Sequence, residues 1–253
     1  MRGALVTGAS RGIGRATAIA LSARGEKVAV HYGRRREEAE RTLAALHGDG
    51  HVLVGGDLTD PGAAQRVVEE AVAGLGQVDV LVNNAGIAPG PGTDHRVDEV
   101  DFATWQRRVA RMLEVDLAAP ANLTFLVARA LIARDAPGVI VNVGSRGAFR
   151  GEPTAPAYAA AKAGLHAFGQ SMAVALAPHG ISVASVAPGF VATERQQDRL
   201  AGPDGEALRA QSPFGRVGTA EEVAEAICYL TSPGAQWASG TVLDLNGASH
   251  LRS

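Results

Sequence analysis

A single cysteine, Cys228, stands in 253 residues, so no intrachain disulfide can form and the fold does not depend on an oxidising compartment. A surplus of one charge is also missing. Lys plus Arg number 24 and Asp plus Glu 26, leaving a formal net charge of −2, without the basic excess of a nucleic-acid-binding chain. Long apolar runs are scarce. The first residues reach only Ala4-Leu5-Val6 before polar residues and glycines interrupt, too short for the core of a signal peptide. No window approaches the ~18 apolar residues of a membrane span. Metal-ligand spacing is lacking as well: His47 and His51 are four apart, but Gly48 and Gly50 break any helix that would place them together, and no metal site is expected. These absences leave a soluble cytoplasmic protein with no nucleic-acid or membrane partner.

What is present is an alternation. Short β-branched runs at residues 3–6, 27–30, 51–54, 78–82, 138–143, 181–186 and 241–245 read as strands. Most are apolar throughout, which suits strands buried on both faces of a parallel sheet. Helix-period segments lie between them, at about 12–24, 35–47, 61–75, 101–134, 156–178 and 220–231. Asp60-Pro61 and Thr219-Ala220-Glu221-Glu222 mark two helix starts. The pattern predicts one domain over residues 1–253: an α/β, Rossmann-type, doubly wound parallel sheet of about seven strands with helices on both faces. Two polar stretches, 87–100 and 194–215, read as irregular loops, the second on the side where ligands should bind.

The first strand runs into Thr7-Gly8-Ala9-Ser10-Arg11-Gly12-Ile13-Gly14, and a helix pattern follows at once. Gly8 permits a tight turn, Gly12 lets backbone approach a pyrophosphate, and Gly14 allows close helix–strand packing. The helix N-terminus then offers free N–H groups and the positive end of its dipole to the phosphates. The lysine of a GxxxxGK[ST] loop is missing, which argues against ATP or GTP hydrolysis.

The GxxxGxG spacing resembles that of the short-chain dehydrogenase/reductase family. The likeness continues through Asp57, Asn83-Asn84-Ala85-Gly86, Ser145, Tyr158-x-x-x-Lys162, Pro188-Gly189 and Asn246-Gly247, in order along almost the whole chain. It implies a dinucleotide held by Gly8, Ser10, Arg11, Gly12, Ile13 and Gly14, with Asp57 and Leu58 flanking the adenine. Asn84, Ala85 and Gly86 would line the ribose side. Pro188, Gly189, Val191 and Thr193 would hold the nicotinamide carboxamide, and 194–215 would form a lid over the substrate. Family members usually form homotetramers.

An acid at the end of the second strand would select NAD. Here that strand ends in His31-Tyr32-Gly33-Arg34-Arg35-Arg36, with no acid before Glu37. The expectation is NADP(H), with Arg11 and Arg34 or Arg35 on the 2′-phosphate and Tyr32 alongside. Alternatively, Arg34 to Arg36 form the solvated start of a helix.

Tyr158 and Lys162 are four apart in a helical segment and share one face. A free phenol has a pKa of about 10, and a neighbouring ammonium favours tyrosinate. Ser145 lies at the end of the fifth strand, where its hydroxyl can steady a carbonyl oxygen as negative charge develops. In the family these three act together in hydride transfer, with Lys162 also on the nicotinamide ribose. One departure stands out: Val115-Asp116-Leu117 carries an acid where relatives have Asn. An ionised Asp116 would favour a charged Lys162, form a salt bridge with it, and push the Tyr158 pKa up; a tolerated near-isostere is the other reading.

Other conspicuous residues read as structural. His166 is assigned to packing or surface, Cys228 to the core, and Trp105 and Trp237 to helix or subunit surfaces. Arg146 and Arg150, beside Ser145, either meet an acidic or phosphate-bearing substrate or are solvated. The whole resembles an NADPH-dependent ketone reductase, most like 3-oxoacyl-[acyl-carrier-protein] reductases, for which an acyl carrier protein is a possible partner. The alternatives are an NAD(P)-dependent dehydrogenase of a sugar, steroid or other secondary alcohol, and a non-catalytic NADP-sensing regulator.

Overall fold

Strands with apolar residues on both sides of the pleat must be covered from two directions. The computed structural model describes residues 1–252 and shows that arrangement. The strands are β1 (Gly3–Val6), β2 (Lys27–Tyr32), β3 (Val52–Gly55), β4 (Val80–Asn83), β5 (Gly138–Val143), β6 (Ile181–Pro188), β7 (Val191–Ala192), β8 (Gly218–Thr219) and β9 (Val242–Leu245). Seven of them form one sheet in the order β3-β2-β1-β4-β5-β6-β9, and β7 pairs with β8 separately. All pairings are parallel. This is a Rossmann-type fold, with its order reversing beside β1 and β4.

Alternate strand residues point to opposite layers. Ala4, Val6, Val28, Val30, Val80 and Val82 pack under α1 (Gly12–Ala23), α2 (Arg36–Ala44) and α10 (Ala220–Leu230). Leu5, Ala29, Leu81, Ile140 and Val183 meet α3 (Pro61–Leu75), α5 (Ala119–Ala133) and α7 (Pro156–Leu176). Asp60 accepts the Gly62 N–H at 2.9 Å ahead of Pro61, and Thr219 and Glu222 form a reciprocal cap on α10.

Several boundaries differ from the sequence reading. The second helix stops at Ala44, where Ala45 and Leu46 close tighter three-residue bonds before Gly48 and Gly50 turn at positive φ. The segment 101–134 is α4 (Phe102–Leu113) joined to α5 through a π-helical turn, Glu114–Ala118. Residues 194–215 are not wholly irregular, since they contain α8 (Gln197–Ala201) and α9 (Gly205–Arg209). A short helix, α6 (Gly147–Arg150), follows β5.

The expectation of no membrane-length apolar window needs correction. The continuous helix Phe102–Ala133 contains an 18-residue window of mean hydropathy 1.5, long and apolar enough to cross a membrane. The cause is a core-facing stripe in a helix prolonged by the π turn. Leu123, Val127 and Leu131 lie wholly inside the α3–α5–α7 layer, each burial stabilising by about 1.5–3 kcal/mol.

Candidate active site

The loops at the carboxyl ends of the strands enclose a cavity of about 920 Å³. Its first wall is the turn after β1. Gly8 has φ +62°, and a Cβ there would lie 2.9 Å from Ala85 Cα. Thr7 Oγ1 accepts the Asn84 and Ala85 N–H groups, both at 2.9 Å, and the Asn84 amide donates to Thr7 O at 2.8 Å. The β1 and β4 loops are thereby clamped together. A Cβ on Gly14 would come 2.5 Å from both Asn84 Nδ2 and Gly8 O, so Gly14 permits close packing but does not line the cavity.

The N-terminus of α1 faces an anion supplied by the chain itself. The Gly12 N–H donates to Glu194 Oε2 at 3.0 Å, and Arg15 Nη1 lies 2.9 Å from Glu194 Oε1. This carboxylate marks the point where a pyrophosphate would meet the free amides and dipole of the helix. Together with the glycine cradle and the cavity's size, it shows that the residues fit a dinucleotide.

At the end bounded by the loops after β1, β2 and β3, Ser10, Arg11, Ile13, Arg34, Arg35, Asp57 and Leu58 line the cavity. Burial lowers the Arg11 pKa, and the charges of Arg195 and Arg35 lower it further. Arg36 points away, paired with Glu40 at 2.9 Å, and is the solvated helix start. Tyr32 lies outside the cavity, against Gly55, where a Cβ would meet its ring at 2.7 Å. Tyr32 ends β2, an interior strand of the sheet, and alternation turns it away from the cleft that the cofactor reading assigned it to. Asp57 is held below its ordinary pKa chiefly by hydrogen bonds from the Thr59 hydroxyl and N–H.

At the other end, Asn84, Ala85, Gly86, Ser145, Tyr158, Lys162, Pro188, Gly189, Val191 and Thr193 line the same cavity. Lys162 Nζ lies 5.8 Å from the Tyr158 ring centroid and donates to Val143 O at 3.1 Å. The π turn carries Asp116 inward, fully buried, with Oδ1 3.0 Å from Lys162 Nζ. Gly86 is needed beside it, since a Cβ there would lie 2.6 Å from that oxygen. Burial pushes the Tyr158 phenol up, Asp116 adds to the rise, and Lys162 and the Ser145 hydroxyl oppose it. Burial pulls the Lys162 ammonium down, but Asp116 and Tyr158 outweigh it and the net shift is upward. Of the two sequence readings of Asp116, the contact with Lys162 Nζ is the geometry of the ion pair.

Two contributors carried weak sequence signals. His31, which follows the apolar run Val28-Ala29-Val30 of β2, accepts the Gly8 N–H at 3.1 Å and contacts Gly56 O at 3.1 Å. Glu194 directly follows the Pro188–Thr193 segment, but only its distant contact reveals its position. His166 is buried, stacked on Phe149 with ring centroids 5.3 Å apart. Trp237 is 100% exposed, and Trp105 meets His95 edge-on. No metal-binding group of His, Cys, Asp or Glu occurs among the described residues.

Fold and cavity define a dinucleotide-binding α/β protein in which Ser145, Tyr158 and Lys162 line the same cavity as the glycine turn. The short chain dehydrogenase model matches residues 2–204, and the chain belongs to that family. It is 37% identical over 253 residues to the 3-oxoacyl-[acyl-carrier-protein] reductase FabG of Escherichia coli (strain K12), covering 98% of this chain and 97% of the relative. It is 37% identical to an L-rhamnose 1-dehydrogenase (NAD(P)(+)) of Sphingomonas sp. (strain SKA58), covering 98% and 95% of the two chains. A cis-4-hydroxycyclohexanecarboxylate dehydrogenase of Sinomonas cyclohexanicum is 38% identical, covering 97% and 95%. The protein is an oxidoreductase acting on CH–OH and C=O groups of small molecules with a nicotinamide cofactor.

Proposed function

We propose that this enzyme reduces a ketone to a secondary alcohol with NADPH. The observation carrying the reading is that Ser145, Tyr158 and Lys162 share one cavity with the glycine turn. Preference for NADPH is supported by Arg11, Arg34 and Arg35 at the adenosine end and by the lack of an acid at the end of β2. A guanidinium binds a 2′-phosphate by charge-assisted, bidentate hydrogen bonds. The ratio of kcat/KM for NADPH and NADH tests this, and a preference for NADH rejects it.

A dihydronicotinamide held beside Tyr158 and Lys162 would supply the hydride for the carbonyl carbon. Ser145 Oγ accepts the Gly147 N–H at 3.0 Å, leaving its own proton free for the carbonyl oxygen. Tyr158, kept protonated by its raised pKa, is the proton donor to that oxygen. Lys162 commits donors to Val143 O and Asp116, and an ammonium has a third for the ribose. Its charge stabilises the phenolate left after proton transfer.

In this reading the chain is one domain, residues 194–215 form the substrate lid, and the enzyme is a cytoplasmic homotetramer. Likeness to the Escherichia coli reductase supports a 3-oxoacyl thioester on an acyl carrier protein, and likeness to the rhamnose enzyme supports a sugar as the alternative. A screen of 3-oxoacyl thioesters, simple ketones and sugars with NADPH separates them. The same screen tests a non-catalytic NADP sensor, which would turn over none.

A further inference from the structure

We propose that the substrate carries an anionic oxygen group, a carboxylate or a phosphate, which docks on Arg146, Arg150 and Arg199 while its carbonyl meets Tyr158; this rests on the reductase reading above. Arg146 directly follows Ser145 and is buried, at 5% exposure. Its guanidinium donates to Gln211 Oε1 and to Ser249 Oγ, and Arg150 Nη1 reaches the same Gln211 oxygen at 3.3 Å. Two cations therefore converge on one neutral amide oxygen. Arg199, on α8, brings a third: its Cζ and that of Arg146 lie 5.1 and 5.4 Å from the Phe190 ring centroid.

None of these three guanidinium groups has a carboxylate within 4.0 Å among the described residues. Glu152 is the one acid on this wall of the cavity, and it is only half-buried and unpaired. Burial raises its pKa, while Arg150, Arg146 and Arg199 lower it, and the net shift is upward. Arg146 moves down, through burial first and then repulsion from Arg150. Arg146 is thus desolvated without an acid partner, while Arg150 and Arg199 are exposed and add positive charge on the same side of the cavity. Burying a cation without an anion is costly, and a ligand that supplies one recovers that cost. A plain hydrocarbon chain would instead strip water from these groups and return nothing. A carboxylate or phosphate has the bidentate geometry that guanidinium groups match.

The test uses the full chain with NADPH and two matched pairs: 4-oxopentanoate against its methyl ester, and dihydroxyacetone phosphate against dihydroxyacetone. The expected result is that at least one anion exceeds its neutral partner by about ten- to hundred-fold in kcat/KM, the worth of a charged hydrogen bond. The preferred pair identifies carboxylate or phosphate as the source. In the Arg150→Met and Arg199→Met variants that ratio should fall toward one.

A second readout needs no turnover. Benzoate and inorganic phosphate are titrated separately against thermal unfolding of the wild type and both variants. At least one should raise the wild-type Tm, with the rise reduced in each variant. Neutral ketones turned over as well as their anionic partners would overturn the proposal, as would protection that survives both substitutions. Turnover of no ketone with either nucleotide would sink the reductase reading itself, and anion protection abolished in the variants would show that the two failures are separate.

Discussion

Lys162 Nζ lies 3.0 Å from Asp116 Oδ1, in a pocket that leaves the two side chains 6% and 0% exposed. A buried ammonium would ordinarily lose its proton, and here a buried carboxylate retains it. The same negative charge works against tyrosinate and offsets part of the lowering by Lys162, while burial is the largest cause of the upward shift of the Tyr158 phenol.

Asp116→Asn removes that charge while keeping the shape. The ascending, acid-side limb of the pH–rate profile for alcohol oxidation should then move to lower pH, because tyrosinate, the base in that direction, forms more readily. Folding should weaken by roughly 3–5 kcal/mol, since Lys162 is left buried without its anion. Urea unfolding checks the second effect. An unmoved profile in a weakened protein would reduce Asp116 to a purely structural residue.

Tyr158→Phe should lower kcat by about 10²–10⁴-fold, the usual worth of a positioned proton donor, while NADPH affinity stays close to that of the wild type. Stopped-flow turnover and fluorescence titration separate the two. Undiminished turnover would reject the role.

Glu194 occupies the amide of Gly12 and pairs with Arg15. Bound pyrophosphate has to displace or repel this carboxylate. Glu194→Gln should therefore tighten NADPH binding by roughly two- to five-fold, the scale of a charge at a helix terminus. The gain should shrink as salt rises. Isothermal titration at two ionic strengths measures it, and weaker binding by the variant would contradict it.

Acid should unfold the protein through two buried histidines. Burial pushes His31 and His166 from the ordinary 6.5 down to about 4. Between those values the unfolded chain binds more protons than the folded one. Stability is thus complete above about pH 6.5 and falls as pH drops toward 4, by on the order of 3 kcal/mol for each ring. Urea midpoints across that window test the slope, and His166→Leu should flatten it by about half. A flat curve in the wild type would contradict the prediction.

Sequence alone determined whatever depends on neighbours along the chain. Apolar strand runs required a sheet covered on both sides. The spacing of Gly8, Gly12 and Gly14 required a tight turn into a helix, and the four-residue step put Tyr158 and Lys162 on one face. These follow from backbone periodicity and glycine stereochemistry, which act within a few residues. Only the tertiary structure decided the rest. A π turn aimed Asp116 at Lys162, alternation at a strand end turned Tyr32 out of the cleft, and loop closure set Glu194 on a helix terminus 182 residues earlier. Gln211 likewise drew Arg146 and Arg150 onto a single oxygen. Such contacts are fixed by how whole layers pack and where loops close, so no local pattern of residues announces them.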